Sequence, residues 1–278
     1  MKYGNLHLHS NYSDAMLTPE QLVLIGKSLG YKALALTDHD TDAGVAALKK
    51  YAEREGGIDV INGVEFYGVY EGENLHITAL DYDMDSPEIR AFINKRVELE
   101  CERTRKCFER GVKIGCIQGL SWDDVVKYNP DGAWLCIDSI FNAYKTLKLD
   151  IPEDFRQIVF KAPETKAFNY EAPTAEEVIR IIRNAGGIAT HAHPYHGQTR
   201  FIPKLVELGL NGVEVCHPSM TDEEMQEASE MADAYKLYRS GGTDHTGPMS
   251  GVGGKHAIPV FNGVTEEEFI TLRERKLG

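Results

Sequence analysis

Histidines and carboxylates stand together at several separate points of this 278-residue chain. His7 and His9 lie two residues apart, a spacing that places both side chains on the same face of a strand, so both imidazoles can bind one metal ion. Such a pair alone is weak evidence, but further clusters follow it along the chain: Ser13-Asp14, Thr37-Asp38-His39-Asp40, Gly63-Val64-Glu65, His76, His191-Ala192-His193-Pro194, Val215-Cys216-His217-Pro218 and Gly242-Thr243-Asp244-His245. Imidazoles and carboxylates without cysteine are typical ligands of Zn²⁺, Mn²⁺ or Fe²⁺.

Each cluster lies on or just after a segment that we predict to be a β-strand: Tyr3–His9, Ala33–Thr37, Asp59–Phe66, Leu75–Asp81, Gly187–His191, Gly212–Val215 and Leu237–Thr243. Helices are predicted between them, and four begin at capping boxes opened by Thr18, Thr174, Thr221 and Thr265. This alternation predicts an α/β fold with a parallel sheet or barrel. The carboxyl ends of the strands surround one pocket in such a barrel, so we expect the clusters to converge. A single buried histidine is usually structural. When polar clusters end nearly every strand, a structural role for all of them becomes unlikely, because burying unpaired polar groups costs free energy.

The pattern changes between residues 86 and 172, where helical periodicity is long and strand signals are few. This segment contains both tryptophans and four of the five cysteines, but no histidine. We predict that residues 1–85 and 173–278 form the barrel domain and that 86–172 is an inserted helical cap over the site. Additional barrel helices are the alternative interpretation.

The net charge of −13 is unfavourable for nucleic-acid binding, because phosphate backbones are held by Lys and Arg. It is compatible with a small phosphorylated substrate, since bound metal ions invert the local field. No run approaches the roughly 18–20 apolar residues of a membrane span, and the first residues lack the apolar core of a secretory signal. We therefore expect a cytoplasmic protein with no membrane association and no stable nucleic-acid partner. The sequence does not indicate an oligomeric state.

Taken together, the clusters resemble the PHP (polymerase and histidinol phosphatase) phosphoesterases. The matching pieces are Leu6-His7-Leu8-His9-Ser10 with Ser13-Asp14, Leu36-Thr37-Asp38-His39-Asp40, Asn62-Gly63-Val64-Glu65, Ala192-His193-Pro194 and Gly242-Thr243-Asp244. The helical stretch is also similar, more weakly, to the inserted domain of family members that dephosphorylate nucleotides. The resemblance implies a distorted (βα)7 barrel with two or three divalent metal ions, Mn²⁺, Fe²⁺ or Zn²⁺.

Carried over residue by residue, the resemblance assigns the metal ligands in three groups. One ion takes His7, His9, Glu65 and Asp244, and Glu65 bridges to a second ion that also takes His76 and His193. A third ion takes Asp14, His39 and a histidine near Asp244. The family usually has Asp-x-His there, but this chain has Asp244-His245, one position early. We include His245 as a candidate ligand.

Other residues are candidates for catalysis and substrate binding. His217, His191 and His196 can exchange protons near neutral pH, and we take His217 and His191 with Asp244 as catalytic candidates. Arg200 is a candidate phosphate clamp, since a guanidinium matches phosphate geometry. His196 and Tyr170 are candidate substrate ligands, although structural or surface roles are at least as common for such residues.

The leading functional hypothesis is a phosphoesterase that releases inorganic phosphate from a nucleotide or sugar phosphate through a metal-activated hydroxide. Opening of a cyclic phosphodiester followed by phosphate release is the main alternative. An exonuclease, a metal hydrolase of C–N or C–O bonds and a non-catalytic module are weaker alternatives.

Overall fold

The computed structural model describes residues 2–245 and 262–277. Its strands are β1 Gly4–Asn5, β2 Ala33–Ala35, β3 Asp59–Ile61, β4 Gly63–Tyr70, β5 Glu73–Leu80, β6 Ile188–His191, β7 Gly212–Cys216 and β8 Tyr238–Gly241. Its α-helices are α1 Pro19–Ser28, α2 Val45–Glu55, α3 Pro87–Lys113, α4 Trp122–Lys127, α5 Ile137–Thr146, α6 Ala175–Asn184, α7 Ile202–Glu207, α8 Asp222–Tyr235 and α9 Glu266–Arg273. Short π- and 3₁₀-helical segments cover Arg156–Phe160, Pro163–Phe168 and Gln198–Phe201.

The predicted helix starts are confirmed by their N-cap geometry, and the complete capping box forms at Thr18, Thr221 and Thr265. The hydroxyl groups of Thr18, Thr174, Thr221 and Thr265 each accept a hydrogen bond from the backbone N–H three residues later. An oxygen at the N-cap satisfies one of the backbone N–H groups that have no partner within the helix. Local sequence therefore determines where these helices begin.

The strands form two sheets. The first contains β1, β2 and β3, which are all parallel, and the second has the order β4-β5-β6-β7-β8. Within the second sheet β5 is antiparallel to both of its neighbours, whereas β6, β7 and β8 are parallel. The fold is thus α/β, with a mixed second sheet.

Two details differ from the sequence-based prediction. The predicted strand Asp59–Phe66 is two strands that belong to different sheets, with the break at Asn62. The expected parallel order fails at β5 because only Glu71 and Gly72 separate it from β4. Both residues have positive φ, 50° and 82°, as in a two-residue hairpin turn, and so short a connection can join only antiparallel strands.

Backbone hydrogen bonds also join the two sheets to each other. Beyond the end of β1, the backbone oxygen of His7 accepts a hydrogen bond from Asp244 N at 2.9 Å. Beyond the end of β2, Asp40 N donates to the backbone oxygen of Glu65 at 2.8 Å. Histidine and carboxylate clusters from both sheets are therefore adjacent, while the complete (βα)7 barrel stays a prediction.

The segment after β5 is helical and has a hydrophobic cluster of its own. That cluster includes Phe108, Val125, Ile140, Tyr144 and Phe155, all buried. A separate apolar core indicates that this segment packs largely within itself. The division at residues 86 and 172 stays a prediction.

The helical segment also contacts the loops that carry the clusters. Trp134 N donates to the backbone oxygen of Tyr12 at 2.8 Å, and Thr41 Oγ1 donates to the backbone oxygen of Gly132 at 3.0 Å. Within the described ranges, no helix is long and apolar enough to cross a bilayer.

Candidate metal centre

Glu65 lies at the middle of the converging side chains. It comes from β4 and is 1% exposed. Imidazole nitrogens from four other parts of the chain surround its two oxygens: His7 Nε2 (3.3 Å), His76 Nδ1 (3.0 Å) and His193 Nε2 (3.3 Å) near Oε1, and His9 Nε2 (3.4 Å) and His39 Nδ1 (3.2 Å) near Oε2. The residues expected to converge from separate strand ends do so around this carboxylate.

Asp244 and Asp14 add carboxylates on two sides of Glu65. Asp244 Oδ1 lies 3.0 Å from His9 Nε2 and 3.7 Å from His7 Nε2. Asp14 lies 3.4 Å from His9 Nδ1 and 3.6 Å from His39 Nε2. Each ring of the His7–His9 pair therefore faces more than one carboxylate, an arrangement that favours a bound cation.

Glycine at position 242 permits the close packing of β8 on the His7 strand. A Cβ atom added to Gly242 would lie 2.4 Å from the Cβ of His7 and 2.5 Å from its backbone nitrogen. Such contacts are far inside van der Waals range, so the close approach of the Asp244 segment requires glycine here.

The donor atoms fit divalent metal ions. Several sets have their ligand atoms within 4.8 Å of one another: His7-Glu65-His193, His7-His9-Asp244, His7-Glu214-His217 and His9-His39-Glu65. His7 Nε2, both nitrogens of His9 and His39 Nδ1 are buried without a well-aligned hydrogen bond. Buried polar atoms in that state are costly unless another partner compensates them, and an ion shared by these groups would do so.

The surroundings of the cluster shift the pKa values of His7 and His39 in opposite directions. Burial lowers the pKa of His7, but Glu214, Glu65 and Asp244 outweigh it and raise that pKa well above its usual value. Burial lowers the pKa of His39 to about 4, against the opposing effect of Asp14 and Glu65. His39 is thus a neutral imidazole with a lone pair available, the form that binds metals.

His217 joins this cluster through Asp244, whereas His245 does not. His217 Nε2 lies 3.3 Å from Asp244 Oδ2. His245 forms a parallel bridge with Leu8, and paired residues point to the same face of a sheet. Leu8 packs among apolar side chains, and His245 lines a small cleft with Leu22. Among the described residues, no potential ligand set contains His245.

His191 lies on the face of β6 that packs into the hydrophobic core. Side chains two apart on a strand share a face, and Ala189 packs into the hydrophobic core that contains Ile179 and Phe201. His191 is fully buried there, and burial lowers its pKa to about 3. This placement is that of a neutral core histidine, and it does not bring His191 to the carboxylates of the cluster.

The candidate clamp Arg200 is on the surface. Its side chain is 49% exposed, forms an ion pair with Glu73 and lies over the ring of Phe201 at 4.1 Å. His196 is a surface residue outside the cluster. Its ring contacts Tyr195, with ring centroids 4.7 Å apart, and its backbone N–H donates to Glu224. The structure does not bring Arg200 or His196 to the candidate ligands.

Tyr170 belongs to a buried ionic network beside the cluster. Its hydroxyl donates to Glu100 Oε2 at 2.9 Å, and the guanidinium of Arg96 lies 5.0 Å from its ring centre. Arg96 in turn forms a salt bridge of 3.0 Å with Asp40, the neighbour of His39. Tyr170 is thus part of the packing next to the cluster.

A cleft of about 260 Å³ opens beside the cluster, and the metal-ligand candidates Asp14 and His39 form part of its lining. The helical segment supplies most of the rest, including Trp134, Arg103, Arg156, Phe160 and Lys161. The Trp134 indole nitrogen is buried without a hydrogen-bond acceptor in the described part of the chain. Sequence reasoning placed the segment over the site but did not single out these residues.

Glu214 was also missed. It lies on β7 with 1% exposure and accepts hydrogen bonds within the cluster. The sequence did contain a signal, because a carboxylate stands inside the otherwise apolar strand Gly212–Cys216, where charges are rare unless they are paired.

Comparison with known proteins decides the family. The PHP domain model matches residues 5–149, more than half of the chain. The chain belongs to the PHP domain family. The resemblance expected from the residue clusters is confirmed, and this PHP protein is a metal-dependent phosphoester hydrolase.

Three relatives of this PHP chain align along most of its length. A phosphoribosyl 1,2-cyclic phosphate 1,2-diphosphodiesterase from Eggerthella lenta is 29% identical over 89% of this chain and 95% of its own. A 5'-3' exoribonuclease from Haemophilus influenzae is 29% identical over 87% and 89% of the two chains. A 3',5'-nucleoside bisphosphate phosphatase from Chromobacterium violaceum is 30% identical over 89% and 88%.

A solved structure gives the same fold. A proposed metal-dependent phosphoesterase from Bifidobacterium adolescentis superposes with a TM-score of 0.80 at 22% identity, covering 99% of this chain and 96% of that one. This PHP protein therefore shares its overall fold with that structure.

Proposed function

We propose that this protein hydrolyses the phosphate ester of a small phosphorylated metabolite, a nucleotide or a sugar phosphate, and releases inorganic phosphate. The observation that carries the proposal is the shared lining of the cluster and the cleft. Asp14 and His39 belong to both, so a molecule in the cleft lies beside the candidate ligands. A binding pocket next to a set of metal ligands is what metal-assisted hydrolysis needs.

The proposed ligands are those of the resemblance, without His245. His7, His9 and Asp244 would hold one ion with Glu65, and His76 and His193 would hold a second with the same glutamate. Asp14 and His39 would contribute to a third. When bound, such ions neutralise phosphate charge and make a water molecule acidic near neutral pH.

One guanidinium of the cleft is suited to an anionic substrate. The lining holds both cations and carboxylates, and Arg103 is already paired with Glu100 at 2.8 Å. Arg156 Nη2 lies 3.7 Å from Asp138, beyond hydrogen-bond range, and has no hydrogen-bond partner among the described residues. A phosphate oxygen would satisfy such a guanidinium, and the Trp134 N–H is a second donor in the same wall.

The relatives suggest three substrate types for testing. Their names refer to a cyclic ribosyl phosphate, a nucleoside bisphosphate and RNA. We favour a small molecule over RNA, because the net charge is −13 and the cleft holds only about 260 Å³. Opening a cyclic diester before phosphate release is the alternative within the same proposal.

The test is a screen of phosphate release by the Mn²⁺-reconstituted protein. It should include nucleoside mono- and bisphosphates, sugar phosphates, cyclic sugar phosphates and a 5'-phosphorylated RNA oligonucleotide. We expect turnover of at least one small phosphate ester. Shortening of the RNA without activity on any small ester would overturn the proposal in favour of an exonuclease.

Metal binding is tested separately with His9→Ala and Glu65→Ala. Both should lose bound metal, measured by elemental analysis, and nearly all turnover, while circular dichroism shows that the fold survives. His196→Ala is the matched control for metal content, because this surface histidine contacts Tyr195 and lies outside the cluster. If His9→Ala or Glu65→Ala keeps wild-type metal content and activity, the site assignment is wrong.

A further inference from the structure

Glu214 contacts two of the candidate ligands, His7 and His193. Its Oε2 lies 3.1 Å from His7 Nδ1, and its Oε1 lies 3.3 Å from the same nitrogen. Its Oε2 also accepts a hydrogen bond of 2.8 Å from the backbone N–H of His193. One buried carboxylate from β7 thus contacts the strand end of β1 and the chain that follows β6.

The contact with His7 determines which nitrogen of that ring faces the cluster. An ionised carboxylate only accepts hydrogen bonds, so in a neutral His7 the proton lies on Nδ1. The opposite nitrogen, Nε2, then directs a lone pair towards Glu65 Oε1 at 3.3 Å and Asp244 Oδ1 at 3.7 Å. A lone pair facing two carboxylates is repulsive unless a proton or a metal ion lies between them, so a bound metal ion would replace the proton on Nε2.

The contact with His193 supports an unusual backbone conformation. His193 has a φ of 29°, in the left-handed region that residues other than glycine rarely adopt. A charge-assisted hydrogen bond from its N–H to a buried carboxylate offsets part of that strain. The turn directs the His193 ring towards Glu65, with Nε2 at 3.3 Å from Oε1.

We propose that Glu214 is a positioning residue of the metal centre, which fixes the His7 ring with Nε2 towards the ions and holds the turn that presents His193. The proposal rests on the proposed function, since it assumes that His7 and His193 bind metal. Carboxylates that hold metal-binding histidines from behind typically change metal affinity 10–100-fold when removed.

Direct ligation is the competing role for Glu214, because it also forms a potential ligand set with His7 and His217. The geometry favours positioning. Glu214 contacts His7 at Nδ1, whereas Nε2 faces Glu65 and Asp244. A ligand and a positioning residue differ in what their removal does: loss of a ligand removes an ion, whereas loss of a positioning residue weakens binding of the same number of ions.

The experiment is a titration of the metal-free full-length protein with Mn²⁺, comparing wild type with Glu214→Gln and Glu214→Ala. Gln keeps the size of the side chain and one acceptor oxygen but removes the charge. We expect unchanged stoichiometry, affinity about 10–100-fold weaker for Ala and a smaller loss for Gln. Glu230→Gln, an exposed glutamate on α8, is the matched control.

A second readout reports the tautomer directly. In the Zn²⁺-loaded protein, imidazole ¹⁵N spectra should show His7 protonated at Nδ1 and metal-bound at Nε2, and Glu214→Ala should disturb this signal while its circular dichroism stays normal. Wild-type affinity and an unchanged His7 signal in both variants would overturn the proposal. Loss of one ion with unchanged affinity for the others would instead make Glu214 a ligand. Failure of the proposed function looks different, because wild-type protein would then bind Mn²⁺ but release no phosphate from any small ester, and the comparison of the Glu214 variants would still stand.

Discussion

The salt bridge between Arg96 and Asp40 gives a sharp prediction about how the helical segment stabilises the site. Arg96 Nη2 and Nε lie 3.0 and 3.2 Å from the same Asp40 oxygen, and the two side chains are 5% and 0% exposed. Asp40 follows His39 directly and has a φ of 52°. Replacing Arg96 by Ala leaves this carboxylate buried beside the candidate ligands without its cation.

The expected cost follows from that burial. Removing one partner of a buried ion pair destabilises a protein by about 3–5 kcal/mol. Arg90→Ala is the matched control on the same helix, because Arg90 is 37% exposed and its partner Asp42 keeps a hydrogen bond of 2.7 Å from the Tyr82 hydroxyl. Asp42 is itself 1% exposed, but because it keeps that hydroxyl and Arg90 is partly in solvent, losing this pair should cost less than losing the Arg96 pair.

The cost should also depend on pH. Burial raises the pKa of Asp40 to about 6 even with Arg96 opposing it, so the pKa rises further in Arg96→Ala. A raised carboxyl pKa means that folding favours the protonated form, and stability is lost as pH rises through the folded pKa. The variant should therefore lose about 1.4 kcal/mol per pH unit relative to wild type above pH 6, until its own pKa is passed.

Urea unfolding of the metal-free proteins at pH 5, 6, 7 and 8 measures these differences without interference from bound ions. Arg96→Ala should be clearly less stable than Arg90→Ala at pH 7 and approach it at pH 5. Equal costs for the two variants at every pH would refute the reasoning, because burial of the Arg96–Asp40 pair would then carry no electrostatic penalty.

Two further predictions concern His191 and Trp134. Burial lowers the pKa of His191 to about 3, so its contribution to folding stability is complete above pH 6.5 and is lost as pH falls. The stability of metal-free wild type relative to His191→Asn should therefore fall by about 1.4 kcal/mol per pH unit below pH 6.5. A difference in urea unfolding that does not change with pH would contradict this. On the proposed function, Trp134→Phe keeps a smaller aromatic ring but loses a buried N–H in the cleft, so KM should rise roughly 2–10-fold with kcat little changed. Trp122→Phe, whose ring packs on Phe108 at 5.5 Å, is the control, and equal KM values for both variants would exclude Trp134 from substrate binding.

The sequence predicted most of the elements and the convergence of the ligand candidates. Capping threonines set the helix starts locally, and the parallel strands place their carboxyl ends together whatever the details of packing. His7, Glu65 and His193 could therefore be grouped from residue types and spacing alone. The reversal of β5 was missed because the two-residue turn at Glu71 and Gly72 was not recognised.

The places where the structure departs from the expected site have a common physical origin. Whether a side chain next to a strand end faces the site depends on pairing register, and His245 shares the register of Leu8 instead of that of His7 and His9. Arg200 follows a turn in which His196 and Gly197 both have positive φ, 53° and 75°, and such a turn redirects the chain by an amount that residue spacing does not reveal. Glu214 could have been found by asking what neutralises a charge inside an apolar strand.

The candidate ligands and the cleft wall come from different parts of the chain, which explains why the family was easier to predict than the substrate. The candidate ligands lie at strand ends, where residue type and spacing leave a periodic pattern. The cleft wall is built from helical side chains such as Arg103, Trp134 and Arg156, whose meeting depends on how the segment folds on itself. Substrate choice in this protein should therefore change with substitutions in residues 86–172 that leave metal binding intact, whereas substitutions around Glu65 should abolish turnover of every substrate alike.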